Sequence, residues 1–226
     1  MLHNAIRVGS KIYHEKENRA HYYDDFFNTT DISFPQEPIR MDEVRKLRRF
    51  LNRWGARYQA NPEQLRDALQ KIRKDFKLLS DTNILDVRFL KEITKDPIYK
   101  IIERIYETVA TCGKRRESTG TAKILHMLQP ELFVMWDGSI RPAYAAKTSG
   151  FSYAFEFLPR MQMVARKAVK ELQQEFGLSV QGAVKLLCPC GHTLARVLDE
   201  YNYAKYNFGK DKVWRAEFEV FDVADG

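Results

Sequence analysis

Apolar residues recur at intervals of three and four along most of this chain, the spacing of a helix that buries one face. The pattern is clearest at 42–58 and 61–79. The apolar positions are Val44, Leu47, Phe50, Leu51 and Trp54 in the first segment and Leu65, Leu69, Ile72 and Phe76 in the second. Asp42 and Asn61 precede these runs, where N-caps belong, and Pro62 suits a first helical position. Both segments are therefore predicted to be amphipathic helices.

The same spacing and the same end signals predict helices along nearly all of the remaining chain. One begins at Asp96-Pro97 and ends before Cys112-Gly113, and the others are expected at 119–128, 138–147, 151–176, 179–187 and 192–207. Residues 213–221 alternate like a strand. The sequence predicts a mainly α protein.

Residues 1–40 differ in composition from the rest of the chain. They are aromatic and slightly acidic, and a proline-rich turn at 34–38 separates them from the basic helices. We expect an N-terminal arm that docks its aromatic side chains on the core. With 226 residues, of which 44% are hydrophobic, the chain suits one large domain or two small lobes, and we treat 1–226 as one two-lobed helical domain.

Composition also limits the location. No run approaches 18 apolar residues, and the first residues lack the apolar core of a signal peptide, so we expect a cytoplasmic protein without a membrane partner. The three cysteines agree with a reducing compartment, because Cys188 and Cys190 are too close for an easy disulfide and Cys112 is distant in sequence.

Positive charge is concentrated in one segment. The net charge is +7, and residues 41–80 alone carry eleven Lys and Arg against five Asp and Glu. A solvated helical face explains such a surplus, and so does attraction to a polyanion such as nucleic acid.

Asp137 is the most informative single residue. It follows the apolar run 132–136 and directly precedes a predicted helix start, and a carboxylate at the end of a buried run needs a reason to be there. Capping of the next helix is one reason. Catalysis is the other, and the two are compatible.

The surrounding motif resembles that of the helix-hairpin-helix DNA glycosylase superfamily. Thr121-Ala122 is followed about sixteen residues later by Asp137, then by Ile140 and Arg141, as in the family's Thr-Ala helix and catalytic Asp. The resemblance covers 110–147. It implies a two-lobed helical bundle in which Asp137 stabilises the positive charge that develops on the sugar of a flipped base.

The hairpin departs from the family pattern. The family reads Leu-Pro-Gly-x-Gly before the Thr-Ala helix, whereas this chain reads Cys112-Gly113-Lys114-Arg115-Arg116-Glu117-Ser118-Thr119-Gly120. The lysine nucleophile of the strand-cleaving members is replaced by Gly120. We therefore expect base removal without efficient strand cleavage, unless Lys123, three residues on, reaches the sugar.

The resemblance also assigns contacts. Phosphates would be bound by a set of residues around the hairpin and the following helix, namely Lys114, Arg115, Arg116, Gly120, Thr121 and Arg141. Trp136 and His126 are candidates for the base pocket, although an aromatic and a histidine in apolar runs also suit a core.

A metal or cofactor is not expected. Cys188-Pro189-Cys190-Gly191-His192 offers three donors, fewer than the four cysteines of the family's iron–sulfur cluster. Motifs for nucleotide hydrolysis, dinucleotide redox chemistry and serine hydrolysis do not occur. The favoured hypothesis is a glycosylase acting on double-stranded DNA. The alternatives are a non-catalytic nucleic-acid-binding protein on the same scaffold and a helical protein-interaction module.

Overall fold

Helices account for the regular structure of the residues that can be described, and the prediction of a mainly α protein is confirmed. The structure is a computed structural model that describes residues 1–56, 58–86, 97–188 and 191–209. The α-helices are α1 (Leu2–Lys16), α2 (His21–Thr29), α3 (Met41–Arg53), α4 (Pro62–Leu79), α5 (Pro97–Ala110), α6 (Ser118–Leu128), α7 (Ile140–Ala143), α8 (Leu158–Phe176), α9 (Val180–Leu187) and α10 (Leu194–Tyr203). Two π-helical turns, Ser152–Phe157 and Ala204–Phe208, adjoin α8 and α10.

Local capping explains where several helices begin. Asn61 Oδ1 accepts a hydrogen bond from Gln64 N at 2.7 Å, and the Gln64 side chain accepts one from Asn61 N, which forms a capping box. The cap predicted at Asp42 is wrong. The N-cap of α3 is Arg40, two residues earlier, and Glu43 accepts a hydrogen bond from Arg40 N at 2.6 Å.

The N-terminal 40 residues contain two helices, which the apolar spacing did not predict. Helix α1 packs along α10 and α8, and α2 packs on α3. The helix expected at 138–147 is reduced to α7, after which Ala145 takes a positive φ of 53°. Residues 213–221, predicted as a strand, lie outside the described residues.

The helices pack in two sets. In the first, α1, α8, α9 and α10 contact one another, and in the second, α3, α4, α5 and α6 do so, with α2 on α3. The π-helical turn at 152–157 contacts both α5 and α8. One continuous cluster of buried apolar side chains runs through both sets. Within the described part of the chain, no helix combines the length and the apolarity needed to cross a membrane.

Substitution of Gly9 tests the contact between α1 and α10. A Cβ at this position would lie 2.9 Å from Tyr201 Cδ2 and 3.0 Å from Tyr201 Cα, and backbone cannot move aside cheaply. Alanine normally stabilises a helix interior by about 0.5–1 kcal/mol relative to glycine. Here overpacking of about 1–3 kcal/mol outweighs that gain, so we expect Gly9→Ala to lower the free energy of unfolding in urea.

Gly182 in α9 is the matched control. A Cβ there meets its nearest atom, Ser179 Oγ, at 3.4 Å, an ordinary contact. Gly182→Ala should therefore leave the protein equally stable or slightly more stable. Equal stabilisation by both substitutions would contradict the close approach of α1 to α10.

Candidate functional site

Ser118 at the start of α6 joins this helix to the segment that carries Asp137. Its carbonyl oxygen accepts hydrogen bonds from Tyr106 Oη at 3.0 Å and from Trp136 Nε1 at 3.3 Å. Its Oγ accepts a hydrogen bond from Arg141 Nη1 at 2.9 Å. Residues on both sides of Asp137 are thus tied to α6, which carries Lys123.

Asp137 uses its two carboxylate oxygens differently. Oδ1 accepts hydrogen bonds from the backbone N–H groups of Ser139, at 2.7 Å, and Ile140, at 2.8 Å. Oδ2 lies 3.2 Å from Asn207 Nδ2. The predicted capping role is present, since Oδ1 satisfies free N–H groups at the start of α7. Among the described residues, Asn207 is the side-chain partner of Oδ2.

Lys123 extends from α6 into the same pocket that Asp137 lines. Its Nζ donates a hydrogen bond to Trp54 O at 3.2 Å and lies 4.4 Å from the centroid of the Trp54 ring. Burial lowers the pKa of Lys123 to about 8, although the carboxylates of Asp199 and Asp137 oppose the shift. A substantial fraction of this amine is therefore neutral near physiological pH.

The pocket lies between the two sets of helices. The residues that line it are Tyr13, Glu17, Arg19, Trp54, Lys123, Met135, Trp136, Asp137, Ile140, Asp199 and Tyr203. Its cavity volume is about 30 Å³, the share of one water molecule in the liquid. The chain brings residues from its first 20 positions and from α10 against Lys123 and Asp137.

Asp199 and Glu17 are acidic residues of the pocket that the sequence motifs did not reveal, and Asp199 lies on α10. Asp199 is buried, its Oδ2 accepts a hydrogen bond from Arg196 Nη1 at 2.5 Å, and burial raises its pKa to about 7 against the opposing charges of Arg196 and Lys123. The pKa values of Lys123 and Asp199 move towards each other, because burial disfavours both charges.

A polar cluster of Glu17, Arg19 and Tyr203 lines another part of the pocket. Arg19 Nε and Nη2 donate to the two carboxylate oxygens of Glu17 at 2.7 and 3.0 Å, and Tyr203 Oη donates to Glu17 Oε2 at 2.7 Å. Burial alone would raise the pKa of Glu17, but these hydrogen bonds lower it to about 2. Glu17 is therefore ionised across the physiological range and is not a proton donor.

Three of the predicted site residues lie elsewhere. Gly120 is buried against the Tyr58 ring, into which any Cβ would project. Thr121 is buried as well, so neither residue is available to a phosphate. His126 is fully buried, with Nδ1 2.6 Å from Phe133 O and Nε2 2.8 Å from Tyr23 Oη, and it does not line the pocket. These three assignments are corrected to packing roles.

Trp136 lines the pocket but is fully buried. Its ring packs edge-on against Tyr106 and Tyr153, so stacking on a base would require it to leave the core. Among the hairpin cations, Lys114 and Arg115 are exposed. Arg116 is engaged by Glu107, with Nη2 2.8 Å from Glu107 Oε2.

Comparisons with known proteins find no matching family model, no matching curated protein and no matching solved structure. The pocket chemistry is therefore the basis for a functional assignment.

The ionisation of Lys123 is directly measurable. In protein labelled with ¹³Cε-lysine, we expect one lysine resonance to titrate near pH 8, far below the others, and to disappear in Lys123→Met. The folded state binds this proton less tightly than the unfolded state, whose lysine has the usual pKa of 10.5. Relative to Lys123→Met, stability should therefore rise as the pH increases from about 8 to 10.5. Titration of every lysine near 10.5 would refute a desolvated amine.

Proposed function

We propose that this protein is a DNA N-glycosylase of the helix-hairpin-helix type, which removes a base flipped from duplex DNA. The observation that carries the proposal is the shared pocket of Lys123 and Asp137, an amine of lowered pKa beside a carboxylate. The arrangement of helices in two sets, with this pocket between them, supports the two-lobed architecture that the sequence resemblance implies.

Asp137 acts on the sugar in this proposal. Cleavage of an N-glycosidic bond develops positive charge at C1′, and the Asp137 carboxylate stabilises that charge in a site with little water. Its Oδ1 stays bound to the backbone N–H groups at the start of α7, which keeps the carboxylate oriented while Oδ2 faces the reacting atoms.

Lys123 supplies the nucleophile. The expectation of weak strand cleavage depended on Gly120 in the family's lysine position, where the Tyr58 ring excludes a side chain. One helical turn later, the Lys123 amine lines the pocket. Its lone pair attacks C1′, the base leaves with the bonding electrons, and the nitrogen loses a proton. We assign Asp199 as the acceptor of that proton, because its carboxylate lines the same pocket as Lys123 and burial raises its pKa. The displaced base takes a proton from water, and C1′ then carries the Lys123 nitrogen in a closed sugar ring. As the C1′–O4′ bond breaks, Asp199 returns its proton to O4′ and a protonated Schiff base forms. Loss of a C2′ proton to water then expels the 3′ phosphate by β-elimination.

Borohydride trapping on a duplex with one abasic site tests Lys123 without knowledge of the target base. We expect a covalent protein–DNA adduct with the native protein and its loss in Lys123→Gln. Lys170→Gln, which changes an exposed lysine of α8, is the control and should trap normally. An adduct that survives Lys123→Gln would exclude Lys123 as the nucleophile.

Asp137→Asn tests the electrostatic role with the capping geometry kept. On duplexes carrying a panel of damaged and mismatched bases, we expect base release to fall by at least about 100-fold, with DNA affinity unchanged. Equal rates would restrict Asp137 to capping. Salt-sensitive DNA binding without base release from any duplex would favour the non-catalytic nucleic-acid-binding alternative.

The phosphate-binding surface is expected to include Lys114, Arg115 and the cations of α3 and α4. About four phosphate contacts would lower duplex affinity roughly 100-fold between 50 and 200 mM salt. The double variant that carries Lys114→Glu and Arg115→Glu should bind duplex DNA more weakly, and its affinity should depend less on salt. The same charge change at Lys170 and Lys185, exposed on α8 and α9, is the control. Affinity that is independent of salt would count against any DNA-binding role.

A further inference from the structure

Two histidines converge on one buried carboxylate outside the pocket. His14 Nε2, from α1, lies 3.2 Å from Glu200 Oε1, and His192 Nδ1, from the residues before α10, lies 2.9 Å from the same oxygen. One ligand atom from each residue lies within 4.8 Å of the other two. Glu200 is fully buried, whereas 31% of the His14 side chain is exposed, so the cluster opens to solvent on one side.

We propose that His14, His192 and Glu200 form a binding site for a divalent transition-metal cation of the zinc type. Two imidazoles and one carboxylate are a common zinc ligand set, with a fourth position for water. Bonds of about 2.0–2.1 Å in tetrahedral geometry separate neighbouring ligand atoms by about 3.3 Å. The separations of 3.2 and 2.9 Å between each histidine nitrogen and Glu200 Oε1 are close to that value, and all three ligand atoms lie within 4.8 Å of one another.

The second ring nitrogen of His192 provides independent support. His192 Nε2 lies 2.8 Å from Asp24 Oδ1. A ligating histidine usually donates its other N–H to a carboxylate, which orients the ring and selects the tautomer that leaves the opposite nitrogen free for the metal. Asp24, on α2, thus holds His192 with Nδ1 directed at Glu200.

The other partners of Glu200 are a hydroxyl and a guanidinium. Ser10 Oγ donates to Oε2 at 2.5 Å, whereas both histidines contact Oε1. Arg196 Nε also lies 3.0 Å from Oε1, so a cation there requires the guanidinium to turn towards Asp199, whose Oδ2 lies 2.5 Å from Nη1. A bound cation would link α1 to α10 and orient α2. These three helices carry one side of the pocket or lie next to it. The proposed site differs from the expectation that the protein binds no metal, and one of its donors, His192, belongs to the motif at 188–192.

Metal binding by the full chain is tested with Zn²⁺ and Co²⁺ after treatment with a chelator. We expect one equivalent of Zn²⁺ to bind and to raise the Tm, and Co²⁺ to give the visible spectrum of a tetrahedral nitrogen and oxygen site. His14→Ala should abolish both effects, and because this side chain is partly exposed the variant should still fold. Asp24→Asn should weaken affinity by about 10–100-fold, whereas His21→Ala, an exposed histidine of α2, should leave it unchanged.

Two results would overturn the proposal. The first is Zn²⁺ affinity and a Tm shift that are the same in His14→Ala as in the native protein. The second is a Co²⁺ complex with thiolate absorption bands that disappear in Cys188→Ser, which would assign the metal to the cysteine motif. Binding of Zn²⁺ is measured without DNA, so its failure would leave the glycosylase proposal untouched.

Discussion

The rest of the structure depends on the interactions of one buried group, the guanidinium of Arg196. It is fully buried, and its ion-pair partners, Asp199 and Glu200, lie on its own helix at 2.5 and 3.0 Å. It also lies within about 5 Å of three aromatic ring centroids from three other parts of the chain, those of Tyr13, Tyr23 and Trp54. An unpaired charge in this position would cost several kcal/mol. Both carboxylates and the rings must therefore stay in place together, which holds α1, α2 and the end of α3 against α10.

The Arg196 guanidinium also lies between two different environments on α10. On one side Asp199 faces the pocket, where burial raises its pKa to about 7. On the other side Glu200 gathers two imidazoles and a hydroxyl, and its pKa is lowered because Arg196 and the histidines outweigh the effect of burial. Adjacent carboxylates thus differ strongly in proton affinity, because they share Arg196 but not their other neighbours. Neighbouring residues on a helix point in different directions, which argues against a joint acid–base role for Asp199 and Glu200. The geometry agrees, because each carboxylate belongs to a different site.

Local patterns predicted α3 to α6 well, because each has an apolar face and a recognisable end. Helix α1 was missed although Ile6, Ile12 and Tyr13 carry helical spacing, since Gly9 interrupts it with a poor helix former. Glycine is needed at position 9 because this position contacts Tyr201, which is almost 200 residues away in sequence. A local sequence pattern does not contain such a contact. The same limit applies to the site. A motif pointed to Asp137 and Lys123, whereas Asp199 joins them only through the packing of α10.

The small pocket volume constrains the proposed reaction. A space of about 30 Å³ cannot admit a nucleotide, so C1′ can approach Lys123 only if lining groups move. The Trp136 ring belongs to the buried core, and moving it would open a cavity at a cost of about 3–5 kcal/mol. Arg19 is different, because 41% of its side chain is exposed, although its partner Glu17 is largely buried. Rotation of Arg19 away from Glu17 would spare the apolar core and leave the Glu17 carboxylate its hydrogen bond from Tyr203. A nearby DNA phosphate would compensate the guanidinium for the partner it leaves.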